Sequence, residues 1–182
     1  MLAFGPRKTG CGEKRSGQSG QALVEYAISV LVMATLAFGV IDFTRAIYEQ
    51  QVITNLTGQG ADLAFRGSGY SDSALLVAAN AVISASPSLN LGSKGRIIVS
   101  ATFNSGNPNA VTISNQASVG GISASSRIGT KGGIATLPPG TNTVTNQTVC
   151  VMEIFYAYQP ITPIGKLLKT VMPAQLYDVA YY

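Results

Sequence analysis

The strongest constraint on this chain is an apolar run of twenty residues near its N-terminus, from Ala22 to Ile41. At 1.5 Å per residue, a helix of that length is long enough to cross the hydrocarbon core of a bilayer. The last fifteen residues of the run contain no charge, but Glu25 lies close to its start. We therefore expect a transmembrane helix. The carboxylate requires an explanation, because an ionised group is costly in hydrocarbon.

Basic residues are concentrated ahead of this run. Four of the twelve precede it, at Arg7, Lys8, Lys14 and Arg15, where only Glu13 opposes them. From residue 21 onward, eight basic residues face seven acidic ones. Because positively charged flanks remain in the cytoplasm, we expect a cytoplasmic N-terminus and export of the residues after the run. The nearly balanced remainder lacks the clustered basic face of a nucleic-acid-binding protein, so no nucleic-acid partner is expected.

Motifs for catalysis and cofactor binding are missing from the sequence. There is no histidine, which removes the commonest general base and the commonest transition-metal ligand. The sequence also lacks a nucleophile elbow, a phosphate-binding loop and a complete dinucleotide-binding glycine motif. Cys11 and Cys150 have no metal-ligand spacing. We therefore expect no enzyme activity, no cofactor, no metal and no small-molecule substrate.

The N-terminal helix is expected to continue beyond the membrane, because no proline occurs from Leu23 to Phe65. We predict a helix from about Ala22 to Phe65. Apolar residues recur at helical spacing along it and form one stripe, at Ile41, Tyr48, Val52, Leu56 and Leu63. The stripe could pack on the chain's own domain or on neighbouring helices, and the pattern leaves both open.

The rest of the chain predicts a small α+β domain. A second helix is expected over Asp72–Ala85, capped by Ser71 or Asp72 and limited by Pro87. Residues Gly120–Gly140 have the composition of a long surface loop, and a short helical turn is expected around Gly165–Thr170. Enrichment in β-branched and aromatic residues predicts an antiparallel sheet of about four strands, at Arg96–Phe103, Val111–Ser114, Val149–Tyr158 and Gln175–Tyr181.

The start of the apolar run carries a glycine that is followed, after four residues, by a Glu-Tyr pair. The segment Gly20-Gln-Ala-Leu-Val-Glu25-Tyr26 resembles the cleavage site of pilins and pseudopilins of the tight-adherence (Tad, or Flp) pilus. In that site a glycine is followed, after four residues, by Glu-Tyr or Glu-Phe. The resemblance implies that Gly20 and Gln21 flank the cleaved bond. It also implies that Glu25 and Tyr26 serve processing and assembly.

A second motif resembles the TadE-like branch of these proteins. Its G-x-x-D-F-x-R pattern is formed here by Gly39, Asp42, Phe43 and Arg45. The resemblance covers roughly residues 16–66, with a weaker similarity in VMEIFYAYQPITPIG near the end of the chain. Many TadE-like sequences have a proline six residues after the glutamate, where this chain has Leu31. A kink at that position is therefore not expected.

Together, the two motifs imply a TadE-like minor pilin or pseudopilin that takes part in assembling an adhesive pilus. A prepilin peptidase would remove residues 1–20, leaving residues 21–66 as the N-terminal helix and residues 67–182 as an exported α+β domain. The implied partners are this peptidase, other Tad/Flp pilins, inner-membrane assembly proteins and the lipid bilayer. The implied location is the bacterial inner membrane as a single-pass protein or, after assembly, the extracellular pilus.

Two alternatives remain open. An ordinary secretory signal peptide would need a small-x-small cleavage site after the run, and the nearest candidate, Thr44-Arg45-Ala46, contains an arginine. It would also leave Glu25 unexplained. A single-span, signal-anchored binding protein unrelated to pili would meet the same physical requirements. A lipoprotein is excluded, because Cys11 precedes the apolar run.

Two residues carry further hypotheses. Strand alternation places Cys150 on one face with Met152 and Ile154, which favours a buried thiol over an intermolecular disulfide. Cleavage after Gly20 would give Gln21 a free α-amino group, which could pair with the Glu25 carboxylate of a neighbouring subunit and set the register of assembly. Snorkelling of Glu25 to the membrane surface, or its recognition by the peptidase alone, is the alternative.

Overall fold

The chain forms one long helix and a four-stranded sheet. The structure, a computed structural model, describes residues 16–67, 69–106, 111–137, 141, 143–167 and 173–182. Most of the predicted leader, including Cys11, lies outside these residues. The predicted α+β class with a long N-terminal helix is confirmed. The elements, in chain order, are helix α1 (Ser16–Arg66), helix α2 (Asp72–Ala85), a 3-10 turn (Pro87–Leu89), the short helix α3 (Leu91–Lys94), strands β1 (Gly95–Asn104), β2 (Val111–Gly120) and β3 (Thr148–Ala157), the short helix α4 (Pro163–Leu167) and strand β4 (Gln175–Tyr181).

The two long helices follow the sequence signals closely. Helix α1 begins at Ser16, earlier than the predicted Ala22, and ends one residue beyond Phe65. Helix α2 has the predicted bounds, and Ser71 caps it, since its hydroxyl accepts a hydrogen bond from the Ala74 amide at 3.3 Å.

The sheet is antiparallel throughout, in the order β2-β1-β3-β4. Strand β2 extends to Gly120, six residues beyond the predicted Ser114. Its second half is small and polar, with weak intrinsic preference for a strand, so propensity alone misses it. Pairing with β1, from Ala101 opposite Asn115 to Arg96 opposite Gly120, holds those residues in the sheet.

Helices α1 and α2 cover one face of the sheet and form the main core with it. Strand β3 contributes alternate residues to this core, and Cys150 is among them with no exposed surface. The predicted buried position of Cys150 beside Met152 and Ile154 is therefore confirmed. Burial raises the pKa of the Cys150 thiol to about 11, because the charged thiolate is disfavoured away from water.

Residues 121–137 cover the opposite face of the sheet. They form no helix or strand, as predicted, but they pack on the sheet, and Ile128 is only 2% exposed. The fully buried Glu153 of β3 fastens this segment. Its carboxylate accepts hydrogen bonds from the Arg127 amide at 2.9 Å, the Tyr177 hydroxyl at 3.0 Å and the Ser126 hydroxyl. A buried carboxylate with several donors is the usual way to offset desolvation of such a charge.

The predicted stripe on α1 is divided between the domain and the surface, since Leu56 is buried in the core and Val52 packs against it. Ile41, Tyr48 and Leu63 are 52%, 63% and 46% exposed. The face that contacts the domain includes Leu56 and Val52 from the stripe, Ile53, and the smaller residues Ala46, Thr57, Gly60, Ala61 and Ala64. Small side chains let the helix axis approach the sheet closely, which apolar spacing by itself does not reveal. Own-domain packing is thus observed for part of the stripe, while Ile41, Tyr48 and Leu63 stay exposed.

Candidate assembly site on the N-terminal helix

The first half of α1 extends away from the domain, and its side chains are exposed. An 18-residue window within it has a mean hydropathy of 2.0, and none of that window is buried by the rest of the chain. By length and composition, α1 is the one helix among the described residues that could cross a membrane. Large apolar side chains are exposed along it, such as Leu31 at 69% and Met33 at 71%. This helix fits a single-pass membrane anchor.

The residues predicted to form the processing motif lie on this exposed half of α1. A Cβ atom placed on Gly20 would meet nothing within 4 Å, so the fold itself does not require glycine there. The Gln21 side-chain amide donates a hydrogen bond to the Glu25 carboxylate at 3.0 Å, across one helical turn. Tyr26 is 71% exposed. The motif therefore presents its side chains outward.

Asp42 lies at the point where α1 enters the domain, and it is fully buried. Its carboxylate accepts hydrogen bonds from the Ile161 amide at 3.1 Å, the Thr162 amide at 3.3 Å and the Thr162 hydroxyl. The Tyr158 hydroxyl donates to the Asp42 backbone carbonyl at 2.7 Å. These contacts fasten residues 158–162, just after β3, to the helix. We call them the Asp42 clamp.

Gly165 completes the clamp because its missing side chain leaves room for the carboxylate. A Cβ atom at this position would lie 1.9 Å from Asp42 Oδ2 and 2.6 Å from the Pro160 ring. The Gly165 amide donates to the Thr162 hydroxyl at 3.0 Å. That hydroxyl therefore receives one hydrogen bond and donates another, to Asp42.

Arg45 lies next to the clamp and forms an ion pair within α1. Its Nε donates to Glu49 at 2.7 Å, and the Glu49 carboxylate is nearly buried, with a side-chain exposure of 6%. Tyr156 lies close to this pair. Burial first, and then the negative charge of Glu49, raise the pKa of the Tyr156 hydroxyl above its usual value.

The predicted site residues thus fall into two separate groups. Those of the processing motif, from Gly20 to Tyr26, lie about 24 to 33 Å from Asp42 along the helix, at 1.5 Å per residue. Asp42 and Arg45 face the domain, whereas Phe43 is 62% exposed and Gly39 has no atom near its missing side chain. The structure brings Asp42 together with the weaker, C-terminal similarity, over a separation of 120 residues.

Sequence reasoning missed the partners of Asp42 and Arg45, which are Tyr158, Thr162, Gly165 and Glu49. The segment VMEIFYAYQPITPIG, which contains three of the four, was the available signal. Nothing in its spacing connects it with residue 42. Among the residues that the structure describes, no three His, Cys, Asp or Glu side chains lie together in a way that could hold a metal ion.

A family model described as TadE-like protein matches residues 20–62. The match spans the processing motif and Asp42, so the resemblance drawn from those residues is confirmed over that segment. The TadE-like family is structural, and the match relates this helix to proteins of the Tad pilus system. No curated protein and no solved structure matches the chain.

Proposed function

We propose that the protein is a minor pilin or pseudopilin that takes part in assembling a Tad/Flp-type adhesive pilus. The observation that carries this proposal is the uncovered, apolar half of α1 bearing the Gly20…Glu25-Tyr26 motif, within the segment that matches the TadE-like model. An apolar helix left exposed by its own domain needs an apolar environment, which a bilayer or neighbouring pilin helices supply.

In this proposal residues 1–20 are a cytoplasmic leader, and a prepilin peptidase cuts between Gly20 and Gln21. Residues 21–66 then anchor the subunit in the inner membrane, with the sheet domain of residues 67–182 exported. Excess positive charge ahead of the span supports that orientation. The partners are the peptidase, other Tad/Flp pilins, inner-membrane assembly proteins and the bilayer. The protein has no chemistry of its own.

The leader can be tested by substitution of Gly20 with a matched control. Gly20→Val places a branched side chain where the peptidase must approach the backbone. Gly39→Val adds the same atoms to the same helix, and neither glycine has a neighbour within 4 Å of the new Cβ atom. In cells with an active peptidase, we expect Gly20→Val to accumulate as the precursor and Gly39→Val to be cleaved. Mass spectrometry of the membrane fraction measures both.

A single-span binding protein unrelated to pili predicts a different result. In that case the wild-type membrane form would retain residues 1–20 in the same cells, and Gly20→Val would change nothing. Wild-type protein that keeps its leader beside an active peptidase would therefore contradict the proposed function.

A further inference from the structure

The Asp42 clamp fixes the height of one loop relative to the apolar run. Asp42 directly follows Ile41, the last residue of that run. Its carboxylate holds the backbone amides of Ile161 and Thr162 at 3.1 and 3.3 Å. The loop of residues 159–163 therefore lies beside the helix at the level where the apolar run ends.

This loop presents apolar surface at that level. Ile161 is 57% exposed although its backbone is held to the helix, and prolines flank it at positions 160 and 163. On the helix, Phe43 is 62% exposed and Tyr48 is 63% exposed. Of these two, Tyr48 carries a polar hydroxyl on its ring, which favours the boundary between hydrocarbon and headgroups. Exposed Lys166 lies one helical turn beyond Thr162, and lysine side chains near a membrane surface extend toward the headgroups.

We propose that the 159–163 loop docks on the outer surface of the bilayer that α1 crosses, with Ile161 inserted at the boundary between headgroups and acyl chains. The occupant of this surface is lipid, because the loop continues the exposed apolar surface of the span at the same height. The proposal rests on the proposed membrane-anchored function. It adds a second point of contact, so that the domain is held against the membrane as well as suspended from it.

The far end of the domain provides a control position for this loop. Helix α1 continues for about 35 Å from Asp42 to Phe65, at 1.5 Å per residue. Strand β4 follows it in the same direction, since Gln50 contacts Tyr177 and the Phe65 ring packs on Tyr182. Ile134 lies beyond that end of the sheet, paired with Thr112 next to the start of β2, and is 67% exposed. It provides a matched exposed isoleucine remote from the membrane.

The test uses single labelled cysteines in the full chain, reconstituted into phosphatidylcholine vesicles. The background carries Cys11→Ser and keeps the native Cys150, which is buried and should not label. Phe38→Cys, Ile161→Cys and Ile134→Cys are each labelled with an environment-sensitive fluorophore. We expect blue-shifted emission at positions 38 and 161, loss of that emission with a lipid-attached quencher, and neither effect at position 134.

The outcomes separate the docking from the membrane anchor. A label at position 38 in lipid with a label at 161 in water overturns the docking and leaves the anchor intact. Labels at 38 and 161 that both stay in water overturn the anchor and the docking together. Labels at 161 and 134 that both enter lipid overturn docking through this loop. Circular dichroism checks that each variant is folded. Positions 161 and 134 are exposed, so substitutions there should leave the fold intact.

Discussion

Asp42 is the residue on which the junction between helix and domain depends. Its carboxylate satisfies two backbone amides and a hydroxyl from a segment 120 positions away. A buried carboxylate without those donors would be strongly unfavourable, so the loop and the helix stabilise each other. The aspartate of the G-x-x-D-F-x-R pattern is therefore a structural residue in this chain.

Removing one donor of the clamp should lower stability measurably. Thr162→Val keeps the side-chain shape but deprives Asp42 of a hydroxyl donor and the Gly165 amide of its acceptor. We expect the free energy of unfolding to fall by about 1.5–3 kcal/mol, as for hydrogen bonds to charged groups. Urea denaturation in detergent measures it. Thr136→Val, at an exposed position, is the control and should stay within about 0.5 kcal/mol of wild type. Equal stability of the two variants would contradict this role.

We expect the role of Glu25 in assembly to be separable from cleavage of the leader. In a single chain its carboxylate accepts a hydrogen bond from the Gln21 side chain, so one acceptor site is already satisfied. If an α-amino group of a neighbouring subunit also pairs with it in an apolar interface, losing the carboxylate should cost about 3–5 kcal/mol per contact. We expect Glu25→Val to insert and be cleaved but to fail to co-purify with Flp pilin.

The control for that experiment is Ser29→Val, one turn further along the same exposed helix. Its hydroxyl bonds only to the backbone carbonyl of residue 25, at 2.8 Å. It should assemble normally. Cleaved Glu25→Val that co-purifies at the wild-type level would show that Glu25 snorkels or is read by the peptidase alone.

Cys150 should behave as an inert core residue. Its thiol has no exposed surface, and burial raises its pKa to about 11, so little thiolate forms at pH 8. We expect no labelling by iodoacetamide in the native state, full labelling in denaturant, and a single monomer band on a non-reducing gel. A disulfide-linked dimer that Cys150→Ala abolishes would contradict this expectation.

At the scale of elements, α1 has two halves with different environments. The first half is exposed, whereas the second half packs on the sheet through large and small residues, including Ile53, Leu56, Ala61 and Ala64. The contact is close at Gly60, where a Cβ atom would lie 2.2 Å from the Met152 sulfur and 2.6 Å from a Val82 methyl group. Gly58, half a turn away, has no such neighbour.

These two glycines give a matched pair of substitutions. Gly58→Ala should stabilise the protein by about 0.5–1 kcal/mol, since alanine favours a helix over glycine. Gly60→Ala gains the same propensity but must displace Met152 and Val82, so it should be about 1–3 kcal/mol less stable than Gly58→Ala. Thermal unfolding monitored by circular dichroism compares them. Equal melting temperatures would mean that the core adjusts without cost around residue 60.

Local signals predicted most of the elements, because they depend on near neighbours along the chain. The cap at Ser71, the absence of proline in α1 and the β-branched runs each act within a few residues. The second half of β2, the buried face of α1 and the packing of residues 121–137 depend on partners far away in sequence. Glu153 shows the difference, since nothing near it in the sequence indicates that Ser126 and Arg127 will reach it.

At the scale of the whole molecule, the core crosses the predicted boundary between the N-terminal helix and residues 67–182. Buried residues of α1 such as Ile53, Ala61 and Ala64 belong to the same core as β1 and β3. Residues 67–182 alone would therefore expose that face of the sheet. The division at residue 66 stays a prediction, and the residues that pack together in the structure begin near Asp42.

Truncation tests this unit directly. A fragment of residues 42–182 retains the Asp42 clamp and the helix face that packs on the sheet, and it lacks the apolar run. We expect it to be soluble with a cooperative thermal transition, and a fragment of residues 67–182 to lack one, because α1 supplies much of the core. A cooperative transition in the shorter fragment would show that the sheet and α2 are self-sufficient.

Helix α1 is continuous from the apolar run into the domain, with Leu31 where many TadE-like sequences have proline. Such a helix acts as a rigid lever, since it has no joint at which the span could move independently of the sheet. If it tilts by the roughly 20° common among membrane spans, the end near Phe65, about 35 Å from Asp42, swings sideways by about 12 Å. Rotation of the span about its own axis would turn the whole domain by the same angle. Torque applied inside the membrane would thus be transmitted directly to the far end of the sheet.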